Sequence, residues 1–444
     1  MNNWKPYNLE QLAYYYNGMA FKPDDWKEEG IKIIRIEQLN NPTGHYDYYQ
    51  GEVSENNGIN NEDLIFSWSA TLKVAIWKHG YGVLNQHLFK VVPKDIADKY
   101  FLYYLLDANM EKLGESSHGL TMKHIKRGEL EKYIVSIPEI PEQQCIAKIL
   151  STCDAVIEKT QAAIAKYKAI KQGMLQDLFT RGIDLNTNKL RPRYQDAPEL
   201  YKESKLGMIP REWEVERLVN LCSEKPTYGI NAAAVDFTYQ LPTYLRITDI
   251  DEVGNFSKTG RKCVDSPFSE NYILKKGDLV FARTGASVGK TYLYNEIDGL
   301  LVFAGFLIKV SPNAKVLDSN YLKFLTETAY YLNWVGLMSQ RSAQPGINGN
   351  EYGSFLIPKP DLNEQIFISE RLLAIQRKLQ TEQTYLQKMQ SLKKGLMEDL
   401  LSGKKCLNLD FQDEQINQDS KTILQSVNLV NQDADNYPVN PKIE

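Results

Sequence analysis

The chain has 444 residues, of which 43% are hydrophobic and 24% charged, with a formal net charge of -4 at pH 7. This composition supplies enough apolar residues for several buried cores and excludes a disordered chain. The acidic balance counts against a globally basic nucleic-acid binder, so any DNA contact has to come from local patches.

The sequence predicts a cytoplasmic protein. The longest apolar runs, such as residues 300–308, are about half as long as a bilayer span requires. The N-terminal residues lack the basic head and apolar core of a secretory signal. The cysteines are odd in number without a C-x-x-C pair, which predicts buried thiols rather than disulfides or a zinc site. They are Cys145, Cys153, Cys222, Cys263 and Cys406.

Residues 1–140 are predicted to form a mixed α/β domain with a basic face. Runs at 31–36, 64–68 and 84–92 indicate strands, and 97–109 indicates a helix. Residues 64–94 contain Lys, His and Trp but no Asp or Glu, which favours DNA contact over a merely solvated basic face. The candidate DNA-contacting residues are Lys73, Trp77, Lys78, His79, Asn85, Gln86 and Lys90, with Lys123 further along.

Residues 141–180 are predicted to form one long helix. Apolar side chains recur every three or four residues, and no proline interrupts the seam. About 38 residues at a rise of 1.5 Å give roughly 57 Å, too long for an ordinary domain helix. We expect this seam to pack on a second helix, through Ile146, Leu150, Ile157, Ile164 and Leu178. Residues 181–209 have the composition of a polar connector.

Residues 210–360 are predicted to be a second mixed α/β domain, with strands at 244–250, 278–282 and 300–310 and a helix at 319–335. The loop 285–291 resembles a phosphate-binding P-loop but is one residue short, so we predict a tight turn that presents basic side chains. The candidate DNA-contacting residues of this domain are Arg283, Ser287, Lys290, Arg341 and Gln344.

A second long helix is predicted at residues 361–402. Its seam includes Ile368, Leu372, Leu379, Leu386 and Leu400. Residues 403–444 are rich in Asn, Gln and Asp and are expected to be a loosely held tail.

The two halves repeat one plan. Trp4 and Trp213 open similar motifs at an offset of 209, and the offset grows to 222 at the Glu-Gln pairs 142–143 and 364–365. The growing offset indicates small insertions in the loops. Gly173 and Gly395 also lie 222 residues apart inside helical patterns, which indicates either tolerated surface glycines or the close approach of another helix.

No catalytic motif is recognisable in the sequence. The Asn/Asp-Pro-Pro-Tyr/Phe motif of adenine-N6 methyltransferases is missing, and no Asp…Glu-x-Lys nuclease cluster stands out. All histidines lie in the first half, so the halves share no histidine chemistry. We expect a non-catalytic chain with no cofactor or metal of its own.

Three features together resemble the specificity subunit of type I restriction-modification systems. They are the LGMIPREWEV motif at 206–215, the Ile-Pro…Glu-Gln exits at 137–143 and 357–365, and the helix endings at 173–179 and 395–401. The resemblance extends from Trp4 to about Gly403. The first exit is two residues shorter than the second, which leaves the geometry of that hinge open.

This resemblance implies an α+β fold with two target recognition domains, joined by two long antiparallel helices that form a coiled-coil-like spacer. It implies double-stranded DNA as the target, and two methyltransferase and two restriction/translocase subunits as partners. S-adenosylmethionine, ATP and Mg²⁺ would be bound by those partners and not by this chain.

We therefore expect each domain to read one half of an asymmetric bipartite target, because readers related by an approximate two-fold axis meet the two DNA strands equivalently. The helix length limits the half-site separation to roughly 17 base pairs. Two alternatives stay open at this point: a coiled-coil scaffold with protein-binding heads, and the recognition part of a fused methyltransferase-nuclease.

Overall fold

The computed structural model describes residues 4–69, 71–115, 125, 127–340 and 346–403. The chain divides into two compact units. The first contains residues 1–163 and 382–444, and the second contains residues 164–381. Each unit therefore combines one α/β domain with a part of both long helices.

The elements of the first half follow in chain order. They are β1 (Lys5–Asn8), α1 (Leu9–Leu12), β2 (Ala13–Asn17), β3 (Ile31–Ile34), α2 (Ile36–Asn40), β4 (Tyr48–Tyr49), β5 (Gly58–Ile59), β6 (Leu64–Ser67), β7 (Lys73–Ile76), β8 (Gly82–Leu84), β9 (Leu88–Pro93), α3 (Lys99–Glu115), α4 (Arg127–Leu130), β10 (Ile134–Ile137) and the long helix α5 (Ile140–Thr180).

The second half continues with the connector strands and the second domain. The elements are β11 (Ile183–Asp184), β12 (Lys189–Leu190), β13 (Tyr201–Ser204), β14 (Gly207–Pro210), β15 (Glu214–Arg217), β16 (Thr227–Tyr228), β17 (Ala234–Asp236), β18 (Thr243–Leu245), β19 (Lys262–Val264), β20 (Leu279–Ala282), β21 (Thr291–Leu293), β22 (Leu301–Phe303), β23 (Leu307–Val310), α6 (Ser319–Leu325), α7 (Ala329–Ser339), α8 (Gly349–Ser354), β24 (Leu356–Lys359) and the long helix α9 (Leu362–Leu400).

Each domain has the same set of sheets within the described residues. In the first domain β1 pairs with β10, and the larger sheets have the orders β2-β9-β6-β7 and β4-β3-β8-β5. In the second domain β15 pairs with β24, and the larger sheets are β16-β23-β20-β21 and β17-β19-β18-β22. The parallel pair β3·β8 corresponds to the parallel pair β18·β22. The predicted α+β class and the internal repeat are confirmed.

Residues 84–92, predicted as one strand, form two strands of different sheets. β8 pairs with β3 and β5, whereas β9 pairs with β2 and β6. Residues 300–310 are divided in the same way between β22 and β23. Both runs are largely buried on each side of the turn. In the second run no polar side chain interrupts residues 304–306, so the apolar pattern hides the crossing; in the first run the polar residues 85–87 mark the turn but not the change of sheet. The turns that result, 85–87 and 304–306, are the same feature in the two halves.

One further element differs from the sequence-based prediction. Residues 319–335 form α6 and α7 rather than one helix, because the Thr328 hydroxyl accepts a hydrogen bond from Tyr331 N–H at 3.3 Å and caps a new helix. The connector, for which the sequence predicts only a polar composition, carries two antiparallel hairpins, β11·β12 and β13·β14.

A buried glutamine in each half joins the start of a long helix to its domain. Gln143 accepts from Asp98 N–H at 2.8 Å and donates to two backbone carbonyls at 2.8 and 3.0 Å. Gln365 accepts from Asp318 N–H at 2.9 Å and donates to two carbonyls, both at 3.0 Å. The Glu-Gln repeat in the sequence therefore encodes a duplicated joint between helix and domain.

The glutamates beside these glutamines are not equivalent. Glu364 is buried and accepts from the Arg191 guanidinium at 2.6 and 3.1 Å, from one backbone N–H at 2.7 Å and from Trp213 Nε1 at 3.2 Å. In the first half, Glu142 Oε1 and Trp4 Nε1 are buried without a hydrogen-bond partner among the described residues. The repeat thus has one satisfied and one unsatisfied carboxylate.

The predicted seam residues contribute to the core of each unit. In the first unit Leu150 and Leu400 belong to one apolar cluster, and in the second unit Leu178 and Leu372 belong to another. Ile157 and Leu386 are half-buried, whereas Leu392 is 44% exposed and interrupts the seam. The remaining seam residues are buried, namely Ile146, Ile164, Ile368 and Leu379. Among the described residues, none of the helices combines the length and the apolar character that a bilayer crossing demands.

Candidate nucleic-acid interface

In the first domain, the turn 85–87 lies beside the end of strand β6. Trp68, which follows β6, donates its backbone N–H to the His87 carbonyl at 3.4 Å, and the two rings lie 5.7 Å apart. Asn85 Oδ1 accepts from His87 N–H, also at 3.4 Å. Gln86 Oε1 and His87 Nδ1 are buried with no hydrogen-bond partner among the described residues. The turn therefore carries acceptors whose hydrogen-bonding capacity is unused.

In the second domain, the turn 304–306 lies beside the end of strand β20. Arg283 follows β20 as Trp68 follows β6, and its backbone N–H donates to the Phe306 carbonyl at 3.1 Å. Its Nε donates to Gly305 O at 3.1 Å, and its guanidinium carbon lies 5.1 Å above the ring of Tyr228. Phe306 is 56% exposed and Tyr228 is 43% exposed. This surface presents a guanidinium stacked on one aromatic ring, with a second exposed aromatic side chain on the turn, a combination suited to phosphate groups and unstacked bases.

A glycine in each half lets a neighbouring strand run directly against the turn. A Cβ on Gly18 would lie 2.1 Å from Asn85 O, and a Cβ on Gly229 would lie 2.2 Å from Ala304 O. Parallel bridges follow at Met19↔Asn85 and Ile230↔Ala304. Since no side chain fits there, the backbone frame of both turns depends on these glycines.

Three predicted DNA-contacting residues of the first domain are occupied within the domain. Lys73 Nζ donates to Leu39 O at 2.6 Å, and Lys90 Nζ donates to Gly58 O at 2.9 Å and lies 3.4 Å from Asp63. Trp77 is 2% exposed and donates its Nε1 to a backbone carbonyl. In this conformation Trp77 has no surface with which to stack on a base, and both lysines stabilise loops.

The other described candidates of the first domain are accessible to different degrees. Lys78 is 58% exposed, with Nζ 3.7 Å from an exposed Glu158 carboxylate. His79 is exposed, and its ring meets that of Trp77 edge-on at 5.0 Å. Asn85 is buried, while Gln86 is half-buried at the tip of the turn. Lys123 lies outside the described residues.

The loop after β20 is a tight turn between two strands. Gly285 and Gly289 have φ angles of +70° and +85°, and the loop leads from β20 into β21. A P-loop must lead from a strand into a helix, so the resemblance to one is superficial. Ser287 is half-buried, and Lys290 Nζ lies 2.6 Å from an exposed Glu252 carboxylate. Arg341 and Gln344 lie outside the described residues.

Tyr228 and Phe306 escaped the sequence-based prediction. Phe306 corresponds to His87, but the correspondence depends on the register of β9 and β23 rather than on any shared motif. Tyr228 meets Arg283 across 55 positions of the chain. To find Tyr228 and Phe306 from the sequence, the turns of the two halves would have to be aligned first and their neighbouring residues then compared.

Among the described residues, no group of three or more His, Cys, Asp and Glu side chains is arranged to hold a metal ion. The described thiols are free; Cys145, Cys153 and Cys263 are buried and Cys222 is half-buried. Burial raises the pKa of the Cys222 thiol to about 12, so it stays protonated at neutral pH. Cys406 lies outside the described residues.

Comparison with known families finds the same duplicated domain. A family model described as the type I restriction modification DNA specificity domain matches residues 1–167 and residues 210–391. The two matched segments together cover most of the chain.

Curated relatives and a solved structure agree with this match. The EcoBI specificity subunit of Escherichia coli is 23% identical over 387 residues, 84% of this chain and 79% of that protein. The MjaVIII specificity subunit of Methanocaldococcus jannaschii is 26% identical over 367 residues, 80% of this chain and 81% of that protein. The crystal structure of an S subunit from M. genitalium superposes with a TM-score of 0.60, at 14% identity, over 90% of this chain and 96% of that one, which indicates a shared fold.

Proposed function

The chain belongs to the type I restriction-modification DNA specificity family, and we propose that each of its two domains reads one half of an asymmetric bipartite DNA target. The duplicated turn is the observation that carries this proposal. The backbone frame is the same, with Trp68 or Arg283 donating to the turn, but the side chains are His87 in one domain and Phe306 in the other. Two domains that read different half-sites need different side chains on the same backbone turn, and this is the arrangement of His87 and Phe306.

Arg283 is the strongest candidate for a base or phosphate contact in the second domain. Its guanidinium fork suits a guanine edge or a phosphate, and stacking on Tyr228 orients it beforehand. Lys290 and Ser287 lie on the same loop, and a DNA phosphate can displace the exposed Glu252 from Lys290. In the first domain the corresponding candidates are Gln86, Asn85, Lys78 and His79.

The residues that precede Ile125 and Ile347 in the sequence supply further candidates. Ile125 N–H donates to Trp68 O, and Ile347 N–H donates to Arg283 O, both at 2.9 Å, so the chain returns to the turn surface in each domain. Lys123 precedes the first of these residues, and Arg341 and Gln344 precede the second. We therefore retain these three among the proposed DNA contacts.

We further propose that α5 and α9 form an antiparallel, coiled-coil-like spacer between the half-site readers. Contacts inside each unit support this: Asp154 meets Lys393 in the first unit, and Lys171 meets Gln376 in the second. Asp154 precedes Lys171 on α5, whereas their partners occur in the reverse order on α9, with Gln376 before Lys393. This reversal is the signature of antiparallel helices. With 41 and 39 residues, the helices are about 60 Å long, which limits the gap to about 18 base pairs.

Residues 1–140 and 210–360 are the proposed recognition domains, residues 141–180 and 361–402 the spacer helices, 181–209 the connector and 403–444 the tail. The proposed partners are methyltransferase and restriction/translocase subunits, two of each. Those subunits would bind S-adenosylmethionine, ATP and Mg²⁺, and the specificity chain would contribute no catalytic group. The assembly would act on DNA in the cytoplasm.

Selection of bound sequences from a random duplex library, with the chain and its methyltransferase subunits together, tests the proposal. We expect enrichment of two short conserved blocks that differ in sequence and are separated by a fixed unread gap. The net charge of -4 opposes counterion release, so the chain alone should bind weakly at physiological salt. Enrichment of one contiguous motif, or of none, would contradict the assignment of one half-site to each domain.

A further inference from the structure

In the second unit, a lysine on α5 reaches both α9 and the recognition domain. Lys171 Nζ donates to Gln376 Oε1 at 3.1 Å and lies 2.7 Å from Glu327 Oε2. It also lies 5.4 Å above the ring of Phe324. Only 18% of the Lys171 side chain and 20% of the Glu327 side chain are exposed, so this ion pair is largely removed from solvent. Glu327 receives a second, buried cation, Lys323, at 3.3 Å.

In the first unit, the corresponding lysine lies on α9 and reaches α5. Lys393 is 222 residues after Lys171, and its Nζ lies 2.5 Å from Asp154 Oδ1. Asp154 is in turn 222 residues before Gln376, the partner of Lys171. The two helices have therefore exchanged roles, and the same cross-helix contact occurs once in each unit.

The domain side of the contact is duplicated as well. Lys393 Nζ lies 5.4 Å above the ring of Tyr104, which is 220 residues before Phe324. The Tyr104 hydroxyl donates to Asp154 at 2.7 Å. Asp107 lies 220 residues before Glu327 and corresponds to it in the repeat. Desolvation raises the pKa of the Asp107 carboxyl, and the positive charge of Lys393 opposes that shift. Three corresponding positions, the lysine, its acceptor on the other helix and the aromatic ring beneath it, thus make the same contacts in both units. The acidic position differs, because Glu327 forms an ion pair with Lys171 whereas Lys393 acts on Asp107 only through its charge.

The apolar seam by itself does not define how α5 and α9 align. Its apolar residues recur every three or four positions, so a slip of one turn would exchange one aliphatic contact for another. The lysine contact does not tolerate that exchange. A slip of one turn would move the acceptor by about 5.4 Å and leave a largely buried ammonium without its partner on the other helix.

We propose that Lys171 and Lys393 are positioning residues that set the register of α5 against α9, one in each unit. They need no DNA contact for this role. The consequence for recognition rests on the function proposed above: if the helices separate the half-site readers, these lysines also fix the gap in the target.

Spin-label distances across the helix pair of each unit test the register in the full chain. The labels are placed on exposed residues of a background without native cysteines, at positions offset along the helix axis so that a slip changes their separation: Lys166 with Glu370 in the second unit, and Lys159 with Glu398 in the first. The Lys171→Met, Lys393→Met double variant should split each single distance into populations about 3–4 Å apart, the change that a slip of one helical turn produces for labels offset in this way. Lys171→Arg with Lys393→Arg should restore the single population, since an arginine can still reach the acceptors.

The matched controls are Lys168→Met and Lys394→Met, which remove exposed lysines of the same helices and should leave each distance single. One unchanged distance in the folded double-methionine variant would overturn the proposal. If that variant fails to fold, the single variants Lys171→Met and Lys393→Met decide, each read in its own unit: a split distance supports the proposal, and a single unchanged distance overturns it. The distances are measured without DNA, so failure of the register and failure of DNA recognition are distinguishable.

Discussion

Replacing Glu364 by glutamine should destabilise the second unit much more than replacing Glu142 by glutamine destabilises the first. Glu364 accepts from the Arg191 guanidinium, a backbone N–H and an indole N–H. A glutamine there would leave Arg191, only 11% exposed, without its buried carboxylate partner and facing only the exposed Glu212. Breaking a buried ion pair from one side costs about 3–5 kcal/mol. For a unit of this size, that loss corresponds to a decrease of roughly 6–20 °C in the melting temperature.

The equivalent change in the first half removes nothing comparable. Glu142 Oε1 is buried without a partner among the described residues, so replacing the carboxylate by an amide breaks no hydrogen bond or ion pair of this oxygen. We expect Glu142→Gln to change the free energy of unfolding by no more than about 1 kcal/mol, in either direction.

Calorimetry of the full chain measures both effects, and hydrogen exchange assigns each transition to its unit. Glu212→Gln is the matched control, because Glu212 also faces Arg191, at 3.7 Å, but is 67% exposed and should contribute little. Equal losses for Glu364→Gln and Glu142→Gln, or no loss for Glu364→Gln, would refute the asymmetry described here.

Four other substitutions give sharp expectations. A Cβ on Gly173 or Gly395 meets open space, so no helix among the described residues approaches either glycine closely. Replacing each glycine by alanine should therefore raise the free energy of unfolding by about 1 kcal/mol on thermal melting, and a decrease would contradict this. Gly229→Ala forces a Cβ to within 2.2 Å of Ala304 O and should cost about 1–3 kcal/mol in urea unfolding, where unchanged stability would show that the frame relaxes freely. Arg283→Lys should weaken binding to one half-site by about 1–3 kcal/mol in gel shifts with the methyltransferase subunits; equal weakening on every DNA sequence would reduce Arg283 to a phosphate contact.

The sequence could predict the long-range organisation because that organisation is written as a repeat. The Glu-Gln pairs at 142–143 and 364–365 stand where Gln143 and Gln365 join helix to domain, and the seam residues follow a regular spacing. These features depend on residues close in sequence or related by a constant offset, which one sequence reveals.

The details of the candidate interface could not be predicted in the same way. Trp77 and Lys90 are of residue types that are common at DNA-binding surfaces. Their burial and their partners, however, are decided by strands that pair across many residues of the chain. The polar residues 85–87 interrupt the apolar run, but the sheet that each flanking strand joins is decided by pairing with strands distant in sequence. Arg191 meets Glu364 across 173 positions, beyond the reach of any local pattern.

Exchange of one recognition domain tests the central claim most directly. Residues 1–140 are replaced by the corresponding domain of a relative with a different target, and the methylated sites of cells carrying the hybrid chain are sequenced. The account predicts that one half of the bipartite target changes, while the other half and the gap stay the same. A hybrid that changes both halves, or neither, would contradict the assignment of one half-site to each domain.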